Sequence, residues 1–310
     1  MTDDGATPTA RPEGPPTLDE LNLPTGKKAR LHDMIYNHGA ENGTLLLLPI
    51  DHGLEHGPRD FFPNPEAADP RFQLELARRG GYNGIACQIG FAEKFFPDYA
   101  GQVPLILKIS GKTNVPPDDA AHSPLNATVE DAVRLGAHAV GYTLYVGSPL
   151  QSRHHEDLRR VRRECERYGM PLIVWSYPRG SAIEQSGGRD SIYSVDYAAR
   201  LAMEMGADIA KLNVPTKSEK DDRMPEVYRD LEWDYAEGAR RVIASARRTP
   251  VLVSGGSKVS DEDLLEKART AMEAGASGLI FGRNMWQRPL DEALEVTERV
   301  KELFRDYPIG

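Results

Sequence analysis

From residue 44 onward, hydrophobic residues gather into short, evenly spaced runs. Leu45–Ile50, Gly84–Cys87, Leu105–Ile109, Val140–Val146, Leu172–Tyr177, Ile209–Val214, Val251–Ser254 and Gly278–Phe281 make eight. Each is brief and rich in Val, Ile and Leu, as expected of parallel strands buried on both faces. Between the runs the period changes. In 153–168, Leu158, Val161, Cys165 and Tyr168 recur at steps of three and four while Arg and Glu fill the other face, which predicts an amphipathic helix. Thr128 with Asp131, and Ser260 with Asp263, match helix-start patterns. Gly136, Gly169, Gly206 and Gly275 stand where helices end. Eight strand–helix alternations predict an α/β fold, a (β/α)8 TIM barrel.

Two segments precede the barrel. Residues 2–17 contain no Val, Ile, Leu, Phe, Tyr or Trp but include Pro8, Pro12, Pro15 and Pro16, so 1–17 reads as a disordered tail. Residues 18–38 read as a short helical entry with Leu21, Leu31, Met34 and Ile35 on its apolar side. A single barrel domain is expected over 18–310. Its connections are lopsided. Helix-to-strand links such as 169–171, 206–208 and 275–277 are short, whereas the strand-to-helix links 110–127, 178–193 and 213–228 are long. In this fold chemistry sits on the face that carries the strand-to-helix loops.

Composition narrows the class. A chain of 310 residues suits one barrel plus a tail, and 40% hydrophobic with 27% charged residues suits a soluble globular protein. No stretch approaches the ~18 apolar residues of a membrane span. Met1-Thr2-Asp3-Asp4 has neither the basic start nor the apolar core of a secretory signal. Two cysteines exclude a disulfide scaffold and a Cys-rich zinc module, so the expected location is cytoplasmic. A net charge of −9 argues against a nucleic-acid or anionic-membrane binder. A local cluster of Arg, Lys and backbone N–H groups can still hold a small phosphate.

Strand parity then points to individual residues. In the sixth run Ala210, Leu212 and Val214 should face the helices, leaving Ile209, Lys211 and Asn213 toward the barrel interior. A buried lysine becomes a nucleophile if burial or a nearby cation lowers its pKa from ~10.4. The bland reading is a lysine that snorkels to the mouth or pairs with a carboxylate. Lys108, which also alternates inward, and Lys258, after the seventh run, compete for the role. Lys211 is the best placed of the three. In the fifth run Trp175, Tyr177 and Arg179 share a face. Tyr177 could move a proton and Trp175 could pack against a substrate, or the two could be an aromatic core layer. Asp51 ends the first run and could bind hydroxyls or relay protons. The string His52-x-x-Glu55-His56 imitates a zinc-protease motif, but Gly53, Gly57 and Pro58 predict a loop rather than the helix such a motif needs. The last two runs end in Ser254-Gly255-Gly256-Ser257 and Gly282-Arg283, matching the usual phosphate position of barrels.

Together, Asp51-His52-Gly53-x-Glu55-His56-Gly57-Pro58, Trp175-x-Tyr177-Pro178-Arg179-Gly180, Ala210-Lys211, Ser254-Gly255-Gly256-Ser257-Lys258 and Gly282-Arg283-Asn284-x-Trp286-Gln287-Arg288 resemble the archaeal-type class I fructose-1,6-bisphosphate aldolases. Phe62–Ala67 and Gly141–Ser148 resemble the bacterial branch of that family more closely. The likeness covers about residues 30–290, with Ser257 where some relatives would have Pro. It implies cleavage of fructose 1,6-bisphosphate to dihydroxyacetone phosphate and glyceraldehyde 3-phosphate without metal or cofactor, in a homo-oligomer. By motif it implies Lys211 as the Schiff-base lysine, Tyr177 as general acid/base, Asp51 in proton transfer and Trp175 as a shaper of the site. A lysinium or iminium nearby would help the phenol of Tyr177 to ionise. Gly255, Gly256, Ser257, Gly282 and Arg283 would hold one phosphate, with His56 and Arg179 at the other end of the substrate. The alternatives are a related Schiff-base or acyl-transferring enzyme on another sugar phosphate, a non-catalytic sugar-phosphate-binding protein, and a metalloenzyme using His52, Glu55 and His56.

Overall fold

A computed structural model describes residues 14–310. All eight apolar runs become strands: β1 (Leu45–Pro49), β2 (Gly84–Gln88), β3 (Leu105–Lys108), β4 (Ala139–Val146), β5 (Leu172–Pro178), β6 (Ile209–Leu212), β7 (Val251–Ser254) and β8 (Gly278–Ile280). They pair in sequence order, all parallel, and β8 closes on β1, giving the (β/α)8 barrel. The register sets Trp175 of β5 beside Lys211 of β6, and Tyr145 of β4 beside Tyr177 of β5.

Alternation along each strand separates two cores. Leu47, Ala86, Ile106, Ala139, Ile173, Ile209, Leu252 and Ile280 fill the barrel interior. Their neighbours, among them Leu48, Ile85, Leu107, Val140, Val174, Ala210 and Leu212, pack outward against the helices. Leu158, Val161 and Cys165 form the buried face of the helix Gln151–Tyr168, which stops at Gly169 in the left-handed region. Thr128 and Asp131 form the full reciprocal capping box expected of them.

The N-terminal entry is shorter than its pattern suggests. The helix spans Thr25–Tyr36, because Pro24 leaves the chain extended ahead of it. Leu18 and Leu21 precede the helix in a turn, yet both join Leu31, Met34 and Ile35 against the lower end of the barrel core. Most of the segment read as a disordered tail, residues 1–13, lies outside the described residues. Its last part is ordered, since the Thr17 backbone N–H and hydroxyl both donate to Glu20. Below the barrel Lys27 is fully buried and pairs with Glu166 and with Asp208 at 2.8 Å. The long strand-to-helix links lie at the opposite end and carry short helical turns at Asp118–Ala120, Ser181–Gln185 and Glu226–Arg229.

Candidate active site

The strand ends and long loops enclose a cavity of about 620 Å³. Its lining brings together Asp51, Glu55, His56, Tyr177, Arg179, Lys211, Gly255, Gly256, Ser257, Gly282 and Arg283, drawn from the ends of β1, β5, β6, β7 and β8. The three candidate lysines part company here. Lys258 is exposed and donates to the Gln287 carbonyl, away from the cavity. Lys108 is fully buried beneath it, 3.4 Å from Asp51 and 3.6 Å from Glu55. Lys211 alone reaches the cavity, with 7% of its surface exposed. Among the described residues no carboxylate comes within ion-pair distance of its Nζ, which sits 5.2 Å from the Trp175 ring centre and 5.4 Å from that of Tyr177. Burial lowers the Lys211 pKa, and the more distant charges of Asp51 and Glu55 only partly offset it.

The neighbouring carboxyls are pushed apart. Burial opposes the charge of Asp51, but Lys108 foremost, then His52 and Lys211, hold its pKa well below the ordinary carboxylate range. Glu55 moves the other way, raised by burial and by the Asp51 charge. Burial takes His52 down to about 4, so the imidazole is neutral near pH 7. Tyr177 departs from its expectation. Burial, with Glu55 and Asp51, raises the phenol, and the cations around it do not reverse the shift. Near pH 7 Tyr177 therefore holds its proton. Trp175 also takes a different place. It does not line the cavity but lies under its floor, between the ammonium groups of Lys108 and Lys211 at 5.1 and 5.2 Å. Gly141 makes that possible, because a Cβ there would come within 2.7 Å of the indole.

The glycine loops after β7 and β8 form one side of the mouth. Gly256 has φ +66°, a conformation in which other residues are strained. The backbone N–H groups of Gly256, Ser257, Gly282 and Arg283 donate to no acceptor among the described residues. A fully buried Asn284 ties the two loops together. Its amide donates to the carbonyls of Gly255 and Ser257 at 3.2 Å, and its oxygen accepts from Val259 at 2.9 Å. The Arg283 Nε has no partner among the described residues. Open N–H groups beside an unpaired guanidinium suit a phosphate.

The far side carries Arg179, paired with Asp118 at 3.2 Å. His56, expected there with it, follows β1, which pairs with β8, and so stands beside the β8 loop, its Nδ1 2.6 Å from Asp60. The loop expected at 52–56 is a helical turn, His52–Glu55, because the punctuating Gly57 and Pro58 act only at its end. Even so, His52, Glu55 and His56 do not converge as a metal triad. Glu55 turns to Lys108, and the set that does converge is His52, His56 and Asp60, within 4.8 Å of one another.

Sequence reading assigned no role to Asn284, and it weighed Glu55 only as a metal ligand. Nor did it foresee the chain Ser254–Asn213–Asp190, in which Ser254 donates to Asn213 at 2.6 Å and Asn213 to Asp190 at 3.3 Å beside Lys211.

The barrel and its cavity place the chain within a class that comparison with known proteins makes definite. Residues 45–288 match the model of the DeoC/LacD family of aldolases, and the chain belongs to that family. It is 41% identical over 265 residues to a protein of Thermoproteus tenax called fructose-bisphosphate aldolase class 1, covering 85% of this chain and 90% of that one. An archaeal fructose-1,6-bisphosphate aldolase, solved with its catalytic lysine covalently bound to the carbinolamine intermediate of the substrate, shares 39% identity. It aligns with 88% of this chain and 98% of its own, at a TM-score of 0.74. A fructose-bisphosphate aldolase from Slackia heliotrinireducens is 26% identical, with a TM-score of 0.80 over 95% of this chain and 93% of its own.

Proposed function

We propose that this chain is a class I fructose-bisphosphate aldolase, an aldehyde-lyase that reversibly cleaves fructose 1,6-bisphosphate through a Schiff base on Lys211. The observation that carries this reading is the environment of Lys211, a cavity lysine with a lowered pKa and no bonded counter-ion among the described residues. Its neutral amine adds to the C2 carbonyl of the ketose, and the carbinolamine loses water to give an iminium. Tyr177, protonated near pH 7, supplies the proton that lets hydroxide leave as water. The resulting phenolate then takes the proton of the C4 hydroxyl. The C3–C4 bond breaks, its electron pair passes into the iminium, and the aldehyde departs. Protonation of the enamine at C3 and addition of water release dihydroxyacetone phosphate and restore the amine. Asp51, held ionised by Lys108, orients the substrate hydroxyls and shares the proton transfers.

In this reading the C1 phosphate sits on the N–H groups of Gly256, Ser257, Gly282 and Arg283 with the Arg283 guanidinium, while Gly255 keeps its own N–H on the Ile280 carbonyl and sets the path of the loop. Arg179 faces the C6 phosphate across the mouth, while His56 stands on the β1 side beside the β8 loop. Trp175 supports the lysine from below. The substrate is a phosphorylated sugar, no metal or cofactor is required, and the reaction belongs to glycolysis and gluconeogenesis. We further propose a cytoplasmic homo-oligomer with one barrel domain per chain. No helix among the described residues is long and apolar enough to cross a membrane.

The test is borohydride trapping with dihydroxyacetone phosphate in the presence of a chelator, followed by peptide mass mapping. A reduced adduct on Lys211 is expected. An adduct on Lys108 or Lys258 would overturn the site assignment, and no adduct would overturn the imine mechanism.

A further inference from the structure

Half a ring away from the glycine loops, two cations face the cavity from different strands. Lys112 follows β3 and Arg179 follows β5. Both are held by the same carboxylate. Asp118 Oδ1 lies 2.8 Å from Lys112 Nζ, and Asp118 Oδ2 lies 3.2 Å from Arg179 Nε. Each oxygen takes one cation, the arrangement a phosphate adopts when it bridges two basic groups.

The three partners are anchored unequally. The Lys112 and Arg179 side chains are 11% and 20% exposed, and Arg179 also donates to the Pro178 carbonyl at 2.7 Å. The guanidinium lies 5.5 Å from the Tyr177 ring centre. Asp118 is 39% exposed, and its carboxylate pairs only with these two cations among the described residues. It sits on a three-residue turn at the tip of the loop after β3, behind Pro116 and Pro117. The base of that loop is tied down, since Gly111 donates to the Pro124 carbonyl and Ser148 to that of Ala121. The cations are thus the fixed part of the cluster and the carboxylate the detachable part.

We infer that Asp118 is an exchangeable internal counter-ion that occupies the distal cation pair in the empty site and gives way to the second phosphate of the substrate. The inference rests on the aldolase reading. A phosphate monoester brings nearly two negative charges and three acceptor oxygens where Asp118 brings one charge and two. It therefore wins the pair, but its net gain is reduced by the contacts that Asp118 gives up. A ligand with one phosphate, seated on the glycine loops, leaves the carboxylate in place. Asp118 then sets how strongly the site favours two phosphates over one.

The test compares D118N with the parent enzyme on fructose 1,6-bisphosphate and on fructose 1-phosphate, which lacks the distal group. The amide keeps the shape and removes the charge. We expect KM for the bisphosphate to fall about two- to fivefold relative to KM for the monophosphate, the worth of a partly exposed ion pair. In K112M the same ratio should move the opposite way. An unchanged ratio in D118N, or a relative rise in the bisphosphate KM, would show that Asp118 is inert or merely positions the cations, and would overturn the inference. Trapping of dihydroxyacetone phosphate on Lys211, run alongside, separates two failures. With the adduct present, an unchanged ratio sinks only the role of Asp118. Without the adduct, the aldolase reading falls and this inference with it.

Discussion

Two lysines are buried at opposite ends of the barrel, and the protein treats them in opposite ways. Lys27, below the floor, pays the desolvation cost of burial, but Asp208 first and then Glu166 reverse it, and its pKa is raised. Lys211, at the mouth, is buried with carboxylates too distant to bond it, and its pKa is lowered. One site holds an ammonium and the other favours a free amine. The two clusters also divide their charges differently. Lys27 is shared between two carboxylates, and burial pushes Asp208 up even so. Near the mouth Lys108 absorbs the carboxylates of Asp51 and Glu55, which leaves Lys211 without a bonded partner. A buried lysine is thus a structural or a chemical device according to where its counter-ions are placed.

Mutation of the two lysines should break the comparison cleanly. Lys211→Met should lower kcat by about 10⁴-fold or more while the protein stays folded, as steady-state assays and circular dichroism would check. Lys27→Met should do the reverse. It leaves two carboxylates without their cation and should cost about 3–5 kcal/mol in urea unfolding, with kcat of the folded enzyme within about twofold of the parent. Equal activity losses in the two variants would refute the division. Tyr177→Phe should lower kcat by roughly 10²- to 10³-fold, since it removes the proposed proton donor, whose ring centre lies 5.4 Å from the lysine. Arg283→Lys, which trades a planar fork for a point charge, should raise KM about tenfold with little change in kcat.

The finest test uses pH. Because the pKa of Lys211 is lowered, the rate of imine trapping should rise with pH and reach half-maximum below 10.5. In D51N that midpoint should fall further, because Asp51 is a charge that favours the ammonium. Stability should follow the same signs. Between the lowered pKa of Lys211 and 10.5 the unfolded chain binds more protons, so the lysine makes stability rise with pH. Lys27 contributes fully below 10.5, and its contribution is lost as pH climbs through its raised value.

The barrel was legible because eight apolar runs, alternating with helical patterns, match the eight buried parallel strands of a (β/α)8 barrel. Parity within a strand also assigned Lys211 and Lys108 to the interior. Parity could not rank them, because their difference lies in depth and in the carboxylates that the first strand-to-helix turn brings under the floor. The roles of Glu55, Asp118 and Asn284 were not legible for a related reason. Each acts through partners on another loop, and the long links carry no period from which those meetings could be read. The turn at His52–Glu55 was misjudged because glycine and proline mark where a helix stops and do not forbid the turn before them. Trp175 was expected at the surface of the site because parity gives a direction without a depth.

The ion pair beneath the barrel has a consequence for how the protein is made. Lys27 leaves the ribosome 181 residues ahead of Asp208. At ~5–20 residues per second, that interval is roughly 10–35 s. Throughout it, the first helix has no anionic seat to complete, and Leu31, Met34 and Ile35 have no closed barrel to cover. An element synthesised ahead of the barrel is therefore secured only after it. During translation the nascent chain carries a helix whose apolar face awaits its floor, a segment a chaperone would have reason to hold.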